Sequence, residues 1–229
     1  MKIIVFALIT LLYTIPTYAE GTIKLAYSEF PPYVYTDKVK KKTKGSLTRI
    51  VKKIFKKAGI SYSLRAYPYV RACKLVEQGK VDGFFNMFKT KDVIDKYDFS
   101  SPIMKSAIML VVKKGSPIKF NSLEDLKGLK LGVLRGCKYG DKFDDSKLFL
   151  RDPAYSHIIN LRKVIAGRID AYPCEAFVFI KLASKEGLLP ELKLIQNPVS
   201  EMKGYIVFTK GVHKETIDKI NIHLKELVP

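Results

Sequence analysis

The chain has 229 residues, 47% of them hydrophobic, with 41 Lys+Arg against 22 Asp+Glu and a net charge of +19. This length and composition suit one large or two small globular domains, and exclude disorder as a description of the whole chain. Three Cys and three His, with no close Cys pair, exclude a disulfide-stapled mini-fold and leave no zinc-ligand spacing, so no metal or cofactor is expected.

The N-terminus reads as a leader. Lys2 precedes an apolar run, Ile3 to Leu12, too short to span a bilayer. Pro16 and then Thr17-Tyr18-Ala19 complete a secretory signal peptide over residues 1–19, cut after Ala19. No Cys stands at the cut, so no lipid anchor is expected, and no later segment is apolar enough to cross a membrane. The mature chain should be an exported, periplasmic protein. Losing Lys2 lowers its net charge to +18. Such a charge favours anionic ligands at long range. The Lys are dispersed, however, and the run Lys38 to Lys44 has no interleaved stacking aromatics. It reads as a solvated surface rather than a nucleic-acid site.

Helices follow in order. Leu47, Ile50, Val51, Ile54, Phe55 and Ala58 share one helical face, with Ser46 as N-cap and Gly59 just past the end. Pro68 suits N1 of a second helix that buries Ala72, Leu75 and Val76. Ser122 to Asp125 has capping-box spacing for a short helix ended by Gly128. Ile217, Ile220, Leu224 and Leu227 stripe the last helix. Two apolar runs, Ala107 to Val112 and Gly204 to Phe208, read as buried strands.

An internal repeat organises these elements. Gly79-Lys80-Val81-Asp82-Gly83-Phe84 recurs as Gly167-Arg168-Ile169-Asp170-Ala171-Tyr172. Each copy follows a helix, and a short strand candidate lies further upstream, at Lys24-Leu25-Ala26 or Lys130-Leu131-Gly132. This is a βαβ rhythm and implies parallel pairing. Two copies imply two α/β lobes. If the buried runs are the crossover strands, lobe 1 is residues 22–112 plus 205–229 and lobe 2 is 113–204. A cleft between them would face the loops after strand C-termini.

Five ordered stretches carry a family likeness: Phe30-Pro31-Pro32-Tyr33, Arg71 to Gly83, Tyr97 to Pro102, Ser122 to Gly128 and Leu131 to Gly136. In this the chain resembles the family 3 extracellular solute-binding proteins, the polar-amino-acid type serving bacterial ABC transporters. The resemblance implies a type II periplasmic-binding fold: two α/β lobes, two hinge crossings and a small solute closed between them. It implies no catalysis, a monomer, an ABC permease as partner and no nucleic acid. A ligand sensor for a membrane receptor is the main alternative, and a dehydratase-like enzyme a distant one. None of the three His falls in a matched cleft motif; His157 reads as loop, His213 and His223 as last helix.

The resemblance also points to site residues. Phe30 takes the place of an aromatic that covers the ligand. Glu175 matches the acid that accepts a ligand ammonium, although starting a helix is an equal reading of it. Arg135, Cys137 and Lys138 follow a lobe 2 strand, where Lys138 would bring a cation to the cleft. Tyr67, Asn86 and Phe88 complete the expected lining. Amino-acid binders of this family place an Arg six residues before the Phe of the Phe-Ser motif. Here that position is Val93, so the usual carboxylate clamp is missing, and Arg71 is the expected replacement. Cys137 and Cys174 are expected side by side after strand ends, close enough to bridge, with Cys73 left as a buried thiol.

Overall fold

The structure, a computed structural model, describes residues 21–37 and 39–227; the leader expected at 1–19 lies outside the described residues. In chain order the first elements are β1 (Ile23–Tyr27), β2 (Tyr35–Asp37), β3 (Lys42–Lys44), α1 (Ser46–Lys57), β4 (Tyr62–Ala66) and α2 (Tyr69–Glu77). Next come β5 (Gly83–Phe88), β6 (Tyr97–Phe99), β7 (Met104–Lys113), β8 (Lys130–Leu134), α3 (Asp141–Asp145) and β9 (Leu150–Ala154). The chain closes with α4 (His157–Ile165), β10 (Ala171–Glu175), α5 (Ala176–Lys185), β11 (Leu192–Leu194), β12 (Ser200–Thr209) and α6 (Lys214–Leu227).

The predicted helical faces are the buried ones. Leu47, Val51, Ile54 and Phe55 of α1 pack with Ile217, Ile220 and Leu224 of α6 against β1, β5 and β12. Ala72 and Val76 of α2 cover the opposite face of that sheet. In lobe 2, α4 and α5 bury Leu161, Val164, Val178 and Phe179 against β7 and β10. Two helix starts lie one residue from expectation. Gly45, at φ 120°, caps α1, so Ser46 is the first helical residue; Pro68 caps α2 rather than opening it. The capping box at Ser122 and Asp125 is present and starts a single 3₁₀ turn, Leu123–Leu126.

The sequence repeat has one structural meaning in both lobes. Gly79 and Gly167, each at φ 65°, end α2 and α4 in the left-handed conformation. Three residues on, Asp82 accepts the Lys24 N–H and Asp170 the Lys130 N–H, both at 2.7 Å. Each Asp thus ties the strand that follows it to the start of its parallel neighbour. In lobe 1 β1 pairs in parallel with β4 and β5, and in lobe 2 β8 pairs in parallel with β9 and β10.

The lobes share one sheet, in the order β4-β1-β5-β12-β7-β10-β8-β9. β7 and β12 are the two hinge crossings. β12 gives Gly204–Phe208 to β5 and Ser200–Gly204 to β7. β7 gives Met104–Ile108 to β12 and Ile108–Val112 to β10. The run Ala107 to Val112, read from sequence as a crossover strand, pairs through Ala107 and Ile108 with β12 and through Ile108–Val112 with β10 of lobe 2. The antiparallel pairing of the crossing strands satisfies their backbone groups and carries the ladder across the hinge. Among the described residues no helix is long and apolar enough to cross a membrane. The fold is the type II periplasmic-binding fold.

Candidate functional site

A cavity of about 350 Å³ lies between the lobes at the C-terminal ends of their strands. Lobe 1 supplies the loop after β1, the first residue of α2 and the outward face of β5. Lobe 2 supplies the loop between β8 and α3, the N-terminus of α4 and the end of β10. Phe30, Asn86, Phe88, Cys137, Lys138 and Glu175 line it. Three other candidates, Tyr67, Arg71 and Arg135, are not among the lining residues. On α2 each residue advances about 100°, so Arg71, next to the buried Ala72, projects off the core-facing side. It is exposed, with its guanidinium 5.6 Å from the centre of the Tyr67 ring, which Arg65 also covers. Arg135 is exposed and stacks 4.6 Å from the ring centre of Tyr155, itself a lining residue of the cavity.

Glu175 has both expected kinds of position at once. It is the N-cap of α5, its Oε2 accepting the Val178 N–H at 2.7 Å. It also lines the cavity, where Oε1 accepts the Tyr33 hydroxyl at 2.9 Å, and it is only 7% exposed. Tyr33 comes from the Phe30–Val34 turn of lobe 1, stacked on Phe30 at 5.3 Å and edge-on to Phe177 of lobe 2 at 5.9 Å. Burial, and then the Glu175 carboxylate, push its phenol well above the usual range. Tyr33 was not among the predicted site residues; its place in the Phe-Pro-Pro-Tyr turn was the available signal.

Charges bridge the other rim. Lys138 of lobe 2 lies 3.4 Å from Asp92 of lobe 1, and Lys91 of lobe 1 pairs with Asp145 of α3. The Thr90 hydroxyl donates to Asp92 at 2.6 Å and, with Lys138, holds that carboxyl below its ordinary range.

His157 is the main residue missing from the sequence reading. It is not in a loop but opens α4, behind the N-cap Ser156. Its Nδ1 lies 2.6 Å from the Tyr172 hydroxyl and 3.6 Å from Cys174 Sγ. Burial lowers its pKa to about 4, so the ring is neutral at pH 7. Burial also raises the Tyr172 phenol, which stays protonated and shares one hydrogen bond with Nδ1. The neutral ring belongs to a residue that lines the cavity. Of the other His, His213 stands just before α6, 3.5 Å from Asp82, and His223 lies within α6.

The expected bridge is absent. Cys73, Cys137 and Cys174 are all free thiols. Both lobe 2 thiols line the cavity, but Cys174 is buried on β10 against His157, whereas Cys137 is exposed in its loop. Cys73 is half-buried rather than buried. Burial pushes the Cys137 thiol up to about 11 and Cys174 higher.

Residues 23–228 match the family model of bacterial extracellular solute-binding proteins, family 3. The chain belongs to that family. Among its relatives is the L-cystine-binding protein TcyJ of Escherichia coli (strain K12), 24% identical over 205 residues, 86% of this chain and 74% of that protein. The probable amino-acid-binding protein YxeM of Bacillus subtilis (strain 168) is 25% identical over 201 residues, 85% of this chain and 75% of that protein. Solved structures with the same fold include holo arginine-binding protein from T. maritima, at TM-score 0.74, 20% identity and 90% cover of both chains. A histidine kinase sensor domain with similarity to periplasmic binding proteins superposes at TM-score 0.76, with 18% identity and 90% cover of both chains.

Val93 holds the position at which the resemblance led to the expectation of an Arg. Val93 is 9% exposed and packs with Ala72, Val76 and Met87 in lobe 1; it does not line the cavity. Asn86 does, at φ +73°, a left-handed conformation that Asn adopts more readily than most residues with a side chain. Its Oδ1 is buried without a protein partner, 2.8 Å from where a Cβ on Gly204 would lie. A buried polar residue with an unmet acceptor belongs to a binding site more readily than to a core.

Proposed function

We propose that this is an exported periplasmic solute-binding protein that captures a small polar solute, an amino acid or a related small molecule, between its lobes and presents it to an ABC transporter. The observation that carries the reading is the cavity lined from both lobes and bridged by the Tyr33–Glu175 hydrogen bond. Such a bridge forms only when the lobes approach, so solute occupancy and lobe closure are coupled, and the closed shape is what a permease can recognise. The names of the relatives, cystine-binding and amino-acid-binding, support a solute of that size.

Catalysis has little support in the site. Both cavity thiols are held protonated by burial, and His157 faces a phenol and a thiol rather than an orienting carboxylate. A second reading, a ligand-sensing module for a membrane receptor, is favoured by the similarity to a histidine kinase sensor domain. A thermal-shift screen of the mature protein against amino acids, amines, small acids and sugars tests capture, because a ligand of the folded state stabilises it by mass action. Photo-crosslinking of the liganded protein in its native membranes separates a permease partner from a receptor.

A further inference from the structure

The charge and the walls of the cavity narrow the solute. Lys138 is the only cation among the lining residues, and its ammonium is already 3.4 Å from Asp92. Among the described residues no arginine lines the cavity; Arg71 lies over Tyr67 outside it, and Arg135 stacks on Tyr155, one of its walls. Acids, by contrast, gather here. Glu29 and Glu175 line the cavity, Glu29 with both oxygens accepting from Thr36, and Asp92 and Asp145 stand at its rim paired with Lys138 and Lys91. Glu175 is the one buried acid among the lining residues. The walls are largely aromatic: Phe30, Phe84, Phe88, Tyr69, Tyr139 and Tyr155.

A carboxylate entering this space would lose its hydration and meet only charge that is already paired. The N-terminus of α4 offers it a partial dipole and the Ser156 hydroxyl, which accepts from the Ile159 N–H and keeps its own O–H to donate, but no cation stands in that first turn. An organic cation is served by the same walls, since ring faces attract positive charge. Each oxygen of Glu175 accepts one hydrogen bond, from Tyr33 and from Val178, and a carboxylate has capacity for further donors. The neutral His157 ring and the Asn86 amide can read a neutral polar group elsewhere on the solute.

We infer that the solute is an organic cation, an amine or guanidine with an apolar body and no free carboxylate. The inference rests on the solute-capture reading and narrows it. The test is calorimetric titration of the mature protein with matched pairs: phenethylamine and phenylalanine, tyramine and tyrosine, agmatine and arginine, cadaverine and lysine. In at least one pair the decarboxylated member should bind tighter by about ten-fold or more, because its partner must bury an unpaired carboxylate. Glu175→Gln, whose amide oxygen can still accept from Val178, should weaken that amine by about ten-fold or more. Phe88→Leu should weaken it while leaving the fold intact. Amino acids that bind as tightly as their amines overturn the inference and leave solute capture standing. Binding only of sugars or neutral acids does the same. Failure of every compound in a broad screen overturns both.

Discussion

The Tyr33 hydroxyl donates to Glu175 Oε1 at 2.9 Å, joining residues 142 apart in sequence and on opposite lobes. The bond uses a phenol that burial keeps protonated and a carboxylate that is otherwise committed to capping α5. Tyr33→Phe keeps the ring packing against Phe30 and Phe177 but removes the donor. The unmet oxygen on a buried carboxylate should cost about 1–3 kcal/mol. The expected result is a lower melting temperature and, by small-angle scattering, a more open unliganded protein. An unchanged radius of gyration would show that the bond does not hold the lobes.

Salt should act on the opposite rim. The pairs Lys91–Asp145 and Lys138–Asp92 cross between the lobes, and their side chains are exposed. Exposed pairs are weak and are screened as ionic strength rises. Raising salt from dilute buffer to about 1 M, where the Debye length falls to about 3 Å, should weaken solute binding only a few-fold. Lys91→Met with Asp145→Leu should remove part of that dependence. A salt slope as steep as polyanion binding would point to a different ligand class.

Thiol chemistry offers an independent check of the cleft. Cys137 is exposed but its pKa is pushed up to about 11, chiefly by burial of the sulfur, so it is almost wholly protonated near pH 8. Alkylation followed by mass spectrometry should find Cys137 modified slowly in the folded protein and Cys174 only after unfolding. Three thiols should titrate in denaturant. A protein isolated with Cys137 and Cys174 joined would contradict the free thiols seen here.

Local patterns carried much of this architecture into the sequence. The repeat was legible because a left-handed Gly and a strand-tying Asp are short-range requirements, met alike at Gly79 and Asp82 and at Gly167 and Asp170. The face of α1 was legible because a 3.6-residue period is set by one core. The partners of the crossover run were not legible, since Ala107 to Val112 looks equally buried whichever strand it pairs with. Arg71 was misplaced because its composition suits an anion, while its direction depends on where Ala72 and Val76 seat the helix. His157 was missed because it opens helix α4 while Tyr172 and Cys174, which lie against its ring, come from strand β10.

Acid should destabilise the fold through His157. The unfolded side chain titrates near 6.5 and the folded one at about 4, lowered by burial. As pH falls through 6.5, the unfolded chain takes up a proton that the folded protein refuses. Stability is therefore full above that value and is lost progressively down to about 4, below which both states are protonated. The neighbours do not share this window. Tyr172 and Cys174 are both raised far above it, so they stay protonated throughout. Asp144, whose carboxyl is raised by burial, titrates alike in any His157 variant and cancels in a difference. His157→Gln retains a polar partner for the Tyr172 hydroxyl and cannot titrate. Melting temperatures of the two proteins, followed from pH 7 to pH 4.5, should diverge with the wild type falling faster. Parallel curves would mean that His157 is as readily protonated in the folded protein as in the unfolded one, and that the neutral ring assigned to the cavity is wrong.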